Sequence, residues 1–235
     1  QEIPNARVVR WDKPFNFSSA CDFGAEHAEG EYLLFLNNDT EVITPSWVED
    51  MLGYAQQEGV GAVGCKLFYP DRKLQHAGII LGVGGVPPTP GIAGHFFPAF
   101  IDIPPQDPAQ QLYIGGTRNF AAVTAACIMV STHKFKAVGG FDPIFKIAFN
   151  DVDFYLKILE KGWRNVYLPH VQLYHYESVS IGQLGSKQRD PELFNKEIQL
   201  MLTKWNDLIQ NDPYYHPDFR RDIASARLKI LGFSV

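Results

Sequence analysis

Residues able to do chemistry fall at three places in this chain of 235 residues. The first is Asn37-Asn38-Asp39, which ends the apolar run Tyr32-Leu33-Leu34-Phe35-Leu36. Such a run, entered from Gly30 and left through amides and a carboxylate, reads as a strand buried on both faces. Its polar cluster then lies at the carboxyl end, where open α/β sheets bind ligands. Asp39, with Asn37 two residues before it, offers oxygen ligands to a hard divalent cation such as Mg²⁺ or Mn²⁺ shared with substrate phosphates. A strand ending in an Asx turn that caps the next helix accounts for the same residues. The second place is Asn150-Asp151-Val152-Asp153, where the free N–H groups and dipole of a helix start hold a carboxylate ionised. On local grounds Asp151 is equally a plain helix cap. The third is the histidines. His76 and His95 lie in a Gly- and Pro-rich stretch and read as solvated loop side chains, and His175 stands in an alternating segment that ends in polar residues.

The elements that must position these groups follow from periodicity. Ala6–Trp11 alternates like a strand, and Asn16 or Ser18 caps a helix running to about Glu29, with Gly30 as its left-handed stop. Beyond Asp39, Thr44 and Pro45 open an amphipathic helix with apolar residues at 48, 51, 52 and 55. Gly59 ends it, and Val60 to Tyr69 is a second buried strand. The segment from His76 to Pro108 reads as a long irregular loop. Asn119 to Val130 gives a strand or strand pair of small and branched residues, and Ser131 caps a short helix stopped by Gly139-Gly140. The acidic helix runs from Asn150 to Gly162. Strands over Arg164–Pro169 and Val171–Ser178 follow, then a loop at Gly182–Gly185. Asp190-Pro191-Glu192 opens a long amphipathic helix ended by Asp212-Pro213. The remaining tail carries Ile223, Leu228, Ile230 and Leu231 as apolar contacts for this domain or a neighbour.

Composition bounds the function. Hydrophobic residues at 46% and charged residues at 20% are ordinary for a globular chain. A net charge of −5 and a pI near 5.8 argue against a nucleic-acid surface and against basic attraction to membranes. Cys21, Cys65 and Cys127 are odd in number and far apart, which suggests neither a disulfide framework nor a zinc site and fits a reducing cytoplasm. No apolar stretch reaches the length of a membrane span, and the first residues lack the pattern of a signal peptide.

In order along the chain, FNFS with its helix, GEYLLFLNNDTEV, LQHAGIILG, RNFAAVTAACIMV, VGGFDPIF, FNDVDFYLKILEKGWRNVYLP, LYHYES and the late KW…DPYY segment together resemble the family-2 glycosyltransferases, in the branch that makes O-antigen and other surface polysaccharides. The resemblance runs from Phe15 to about Pro217. It implies an α/β fold of the GT-A kind, a mixed sheet with flanking helices. Residues 1–180 would be the catalytic domain, without the usual N-terminal nucleoside-binding units, and residues 181–235 a C-terminal helical extension. By the same resemblance Asn37, Asn38 and Asp39 contact the donor diphosphate, Asp39 and His175 ligate Mn²⁺ or Mg²⁺, and Asp151 is the general base. The family's usual motif has a carboxylate where this chain has Asn37. Asp153 is the second candidate base, although two residues into the helix it faces another side.

What the resemblance implies for the reaction is transfer of a sugar, with inversion, from a nucleotide-sugar donor to a saccharide acceptor. A carboxylate takes the proton of the attacking hydroxyl, and a cation neutralises the departing diphosphate. The expected setting is the cytoplasm, with any contact to the inner membrane face made through partners, and a partner chain or further segment supplying the donor half. Phe96, Phe97, Tyr113 and Phe120 are the aromatics that could stack on an acceptor sugar. The competing expectation is a non-catalytic carbohydrate-binding or assembly module derived from such an enzyme. A nucleotidyltransferase fits less well, because no N-terminal Gly-rich, basic phosphate loop is present.

Overall fold

The computed structural model describes residues 6–83, 91–95, 114–146, 148–176, 190–219 and 221. Among them the strands are β1 (Tyr32–Leu36), β2 (Thr40–Val42), β3 (Val60–Phe68), β4 (Leu74–His76), β5 (Ile79–Leu81), β6 (Ala93–His95), β7 (Arg118–Phe120), β8 (Cys127–Ser131) and β9 (Arg164–His175). The helices are α1 (Phe17–Glu26), α2 (Trp47–Ala55), α3 (Thr132–Ala137), α4 (Asn150–Glu160) and α5 (Pro191–Gln210).

The main sheet runs β1-β8-β3-β9-β2, with β4 added to β3 and β7 to β9, and β5 and β6 form a separate pair. Only β3 and β9 are parallel; the other pairings are antiparallel. Period-two alternation gives the sheet two unlike faces. Cys127 and Met129 of β8, with Val63, Cys65 and Leu67 of β3, pack on Met51 and Ala55 of α2. Ile128 and Val130 point the other way, into the larger core with Phe135, Phe141, Phe154, Tyr155 and the apolar face of α5. On that side β3 carries Gly61, where a Cβ would stand 2.1 Å from Ile158, so α4 lies directly on the strand.

Several local expectations change. Ala6–Trp11 forms no strand; its residues are mostly exposed, and Arg7 reaches Glu29 at 3.4 Å. Helix α1 stops at Glu26, short of Glu29, although Asn16 does cap it by accepting from Ser19 N–H. Strand β1 is not buried on both faces: only Leu33 is fully buried, and Leu36 is 43% exposed. Its outer edge has no strand beside it among the described residues, which removes the cover the apolar run implied. Thr44 does not cap α2; its hydroxyl donates to His170 O and accepts from Gln172 N–H, fastening the loop to β9. The stretch after His76 is less irregular than its glycines suggest, since β5 and β6 lie within it. The two strands expected after Arg164 are one, with a register shift between Cys65 and Lys66 of its parallel partner absorbing Pro169. Phe120 is buried against Tyr167 with ring centroids 5.7 Å apart, so it offers no stacking face, while Phe96, Phe97 and Tyr113 lie outside the described residues. The Gly182–Gly185 loop and the apolar residues beyond Arg221 also lie outside them.

Candidate active site

Strand β2 begins immediately after Asp39 and pairs antiparallel with the end of β9, setting Thr40 opposite His175. Backbone bonds fix the crossing: Asn37 N–H donates to Ala126 O at 2.9 Å, Thr40 Oγ1 to Asn37 O at 2.8 Å, and Tyr176 N–H to Asp39 O at 2.8 Å. Asp39 Oδ1 consequently stands 3.2 Å from His175 Nε2, both side chains being about 14% exposed. That oxygen is buried and accepts no hydrogen bond. Asn37 Nδ2 lies 3.3 Å from the same imidazole nitrogen, and Asn38 is exposed in the turn.

Gln75 of β4 orients the imidazole. Its amide nitrogen donates to His175 O at 3.2 Å, so its Oε1, 2.8 Å from Nδ1, is the acceptor for the ring N–H. The other nitrogen, Nε2, then turns a lone pair toward a carboxylate oxygen. Two acceptors 3.2 Å apart repel unless a proton or a cation lies between them. Sequence reasoning did not single out Gln75; its neighbour His76 was the nearest signal.

Asp151 enters from α4. Phe149, at φ 61°, caps the helix without a side-chain bond, and Asp151 turns back so that Oδ1 accepts from Val152 N–H at 2.8 Å and Oδ2 from Ala125 N–H at 3.2 Å. Burial raises its affinity for a proton above the ordinary carboxylate value, opposed in part by His95 and by these N–H groups. Ala125 and Ala126 thus hold Asp151 and Asn37 through adjacent backbone groups, which makes the two clusters neighbours.

Asp153 goes elsewhere. It is fully buried, accepts from Trp205 Nε1 at 2.8 Å, and lies 2.7 Å from Lys204 Nζ and 3.6 Å from Lys157 Nζ. Its carboxylate ties α4 to α5. Helix α5 also holds the approach to Asp151: buried Glu197 accepts from Lys146 N–H at 2.6 Å and Ala148 N–H at 2.8 Å, and Phe194 stacks on Phe149 at 5.8 Å.

His76 is not a solvated loop residue. It is fully buried at the end of β4, with burial and the nearby His95 and His175 holding it well below the ordinary imidazole value and hence neutral. His95 is exposed beside it.

The mixed sheet with its flanking helices is the GT-A fold found in nucleotide-sugar transferases. The comparisons agree. Residues 1–82 match the family model for glycosyl transferase family 2. The protein y4gI of Sinorhizobium fredii is 37% identical over 213 residues, 90% of this chain and 22% of that protein. The O-antigen biosynthesis protein RfbC of Myxococcus xanthus is 35% identical over 216 residues, 91% of this chain and 16% of its own length. The chain therefore spans about a fifth of these curated relatives. A crystal structure of GalNAc-T7 with UDP, GalNAc and Mn²⁺ superposes with a TM-score of 0.60 at 15% identity, over 89% of this chain and 39% of that one. These findings bear out the resemblance to family-2 glycosyltransferases, and the fold is GT-A. Among the described residues no helix is long and apolar enough to cross a membrane.

Proposed function

We propose that this chain is the catalytic, acceptor-side part of an inverting glycosyltransferase, moving a sugar from a nucleotide-sugar donor to a saccharide acceptor in surface-polysaccharide synthesis at the cytoplasmic face. One observation carries the reading: the buried Asp39 Oδ1, which accepts no hydrogen bond, faces the lone pair of His175 Nε2 at 3.2 Å. Among the described residues no set of three or more His, Cys, Asp or Glu side chains could hold a metal ion unaided. Asp39 and His175 would therefore be the two protein ligands, with diphosphate oxygens and water completing the shell. A carboxylate with an imidazole suits Mn²⁺ better than Mg²⁺. A cation held there would supply charge neutralisation for the leaving diphosphate. Gln75 keeps the imidazole turned to it, and Asn37 lines the same nitrogen in place of a second carboxylate.

Asp151 supports the other half of the reaction. Its carboxylate is fixed by two backbone N–H groups and holds protons more tightly than a free one, as suits a base for a sugar hydroxyl. With one base and no protein nucleophile in these roles, displacement is in line and inverts the anomeric centre. The test is release of nucleoside diphosphate from UDP-, GDP- and dTDP-sugars with Mn²⁺ and a saccharide acceptor. Activity that Asp151→Asn reduces at least about 10²-fold supports the assignment, and undiminished activity in that variant removes it.

A further inference from the structure

We propose that His76 is a positioning residue for the reacting centre: by accepting from Thr124 N–H it fixes the Thr124–Ala126 backbone from which Asp151 and Asn37 both hang. The proposal deepens the reading of Asp151 as the base and rests on it.

The argument begins with a stretch of backbone that lies outside the strands. Between β7 and β8, residues 121–126 cross β3 so closely that a Cβ at Gly64 would stand 2.4 Å from Val123. Ala121, Ala122 and Val123 are fully buried, so the N–H and C=O groups here need partners from the protein. Asn165 of β9 donates from Nδ2 to Ala121 O at 2.9 Å, and Ile79 N–H to Ala122 O at 2.9 Å. Thr124 N–H donates to His76 Nε2 at 3.2 Å, and the next N–H, of Ala125, to Asp151 Oδ2 at 3.2 Å. Asn37 N–H closes the series on Ala126 O at 2.9 Å. The peptide that serves Asp151 is thus held from both sides, upstream by a side chain of β4 and downstream by the residue that follows β1.

Local structure fits His76 to this task. Pairing of β4 with β3 sets it opposite Leu67 and buries the ring completely. Gly78, at φ +107°, turns the chain so that its own N–H also reaches His76 Nε2 at 3.2 Å, and a Cβ there would stand 2.6 Å from the Phe120 ring. A nitrogen that accepts from two N–H groups carries no proton, so the neutral ring keeps its proton on Nδ1. A buried ring that only filled space would act on stability alone. One that sets Ala125 N–H acts on Asp151 as well.

Nuclear magnetic resonance of the whole chain, joined to transfer kinetics, tests this. Long-range ¹⁵N correlations should show the His76 proton on Nδ1. His76→Gln, whose side-chain oxygen can stand where Nε2 stands, should keep slow amide exchange at Thr124 and Ala125. His76→Phe fills the same space without an acceptor, and there both amides should exchange at least about tenfold faster while Met129 and Val130 of β8 stay protected. Transfer should follow the same order, with kcat at least about tenfold lower in His76→Phe at a little-changed donor KM, and restored in His76→Gln. A proton on His76 Nε2 overturns the proposal, and so does a loss of protection spread evenly over the sheet or a kcat that His76→Phe leaves intact. The tautomer is read on the unmodified chain, so it decides even where His76→Phe does not fold. Persistence of transfer in Asp151→Asn would instead defeat the base assignment, leaving the tautomer and the exchange pattern as they are.

Discussion

Asp151 and Asp153 stand two residues apart on one helix, and almost everything about them differs. Asp153 is fully buried, shared between two lysines, and receives an indole N–H. Among the described residues Asp151 receives backbone N–H groups alone, and burial makes it hold its proton more tightly than a free carboxylate. A carboxylate supplied with cations is part of the scaffold; one left with a desolvated charge is available for chemistry. Asp39 belongs with Asp151 in this respect, because no lysine or arginine pairs with it among the described residues, and Glu197, which holds the chain entering α4, belongs with Asp153. The difference shows how α5 contributes: it supplies Lys204, Trp205 and Glu197 to the groups that hold α4.

Breaking the contrast should give opposite outcomes at the two sites. Asp153→Ala should destabilise most, by roughly 3 kcal/mol, because it strands the buried Trp205 indole N–H and removes the buried carboxylate that Lys157 and Lys204 share, and a melting scan should record a fall in Tm of about 6–12 °C. Glu197→Ala strands two backbone N–H groups and should cost about 2 kcal/mol, with reduced transfer because the chain entering Asp151 is released. Asp151→Asn should do the reverse, abolishing transfer while raising Tm at neutral pH. Its native carboxyl binds protons more tightly than the unfolded chain, so it lowers stability as pH rises from its ordinary value, 3.8, through the raised one. The gain in Tm should therefore vanish at about pH 3, where native and unfolded carboxyls are both protonated. By the same sign, the acid limb of the pH–rate profile should lie above the ordinary carboxylate range. Asp71→Asn, which breaks an exposed pair with Lys73, should leave Tm and transfer unchanged.

Much of this was legible in the sequence, and the failures have physical causes. The strand ending at Asn37-Asn38-Asp39, the helix carrying Asp151, and α5 with its Asp190 cap were readable because caps and apolar periods are local. The separate fates of Asp151 and Asp153 were readable in part, since two residues along a helix turn a side chain to another face. What chose between them, Lys204 and Trp205 some fifty residues on, was not local. His76 read as a loop residue because glycines and prolines follow it, and its burial depends on Thr124 and on β4 joining β3. Gln75 carried no signal at all, because an amide that orients a histidine differs from any other amide only by what lies opposite. The false strand at Ala6–Trp11 shows the converse, a pattern without a neighbouring strand among the described residues to pair with.

The central claim is that Asp39 and His175 hold a cation shared with a donor diphosphate, and calorimetric titration of the chain with UDP or dTDP in the presence and absence of Mn²⁺ tests it most directly. The account predicts nucleotide binding that requires Mn²⁺, is weakened at least about tenfold in Asp39→Ala and in His175→Ala, and survives in Asp151→Asn. Nucleotide binding that is indifferent to Mn²⁺, or to removal of Asp39, would contradict it.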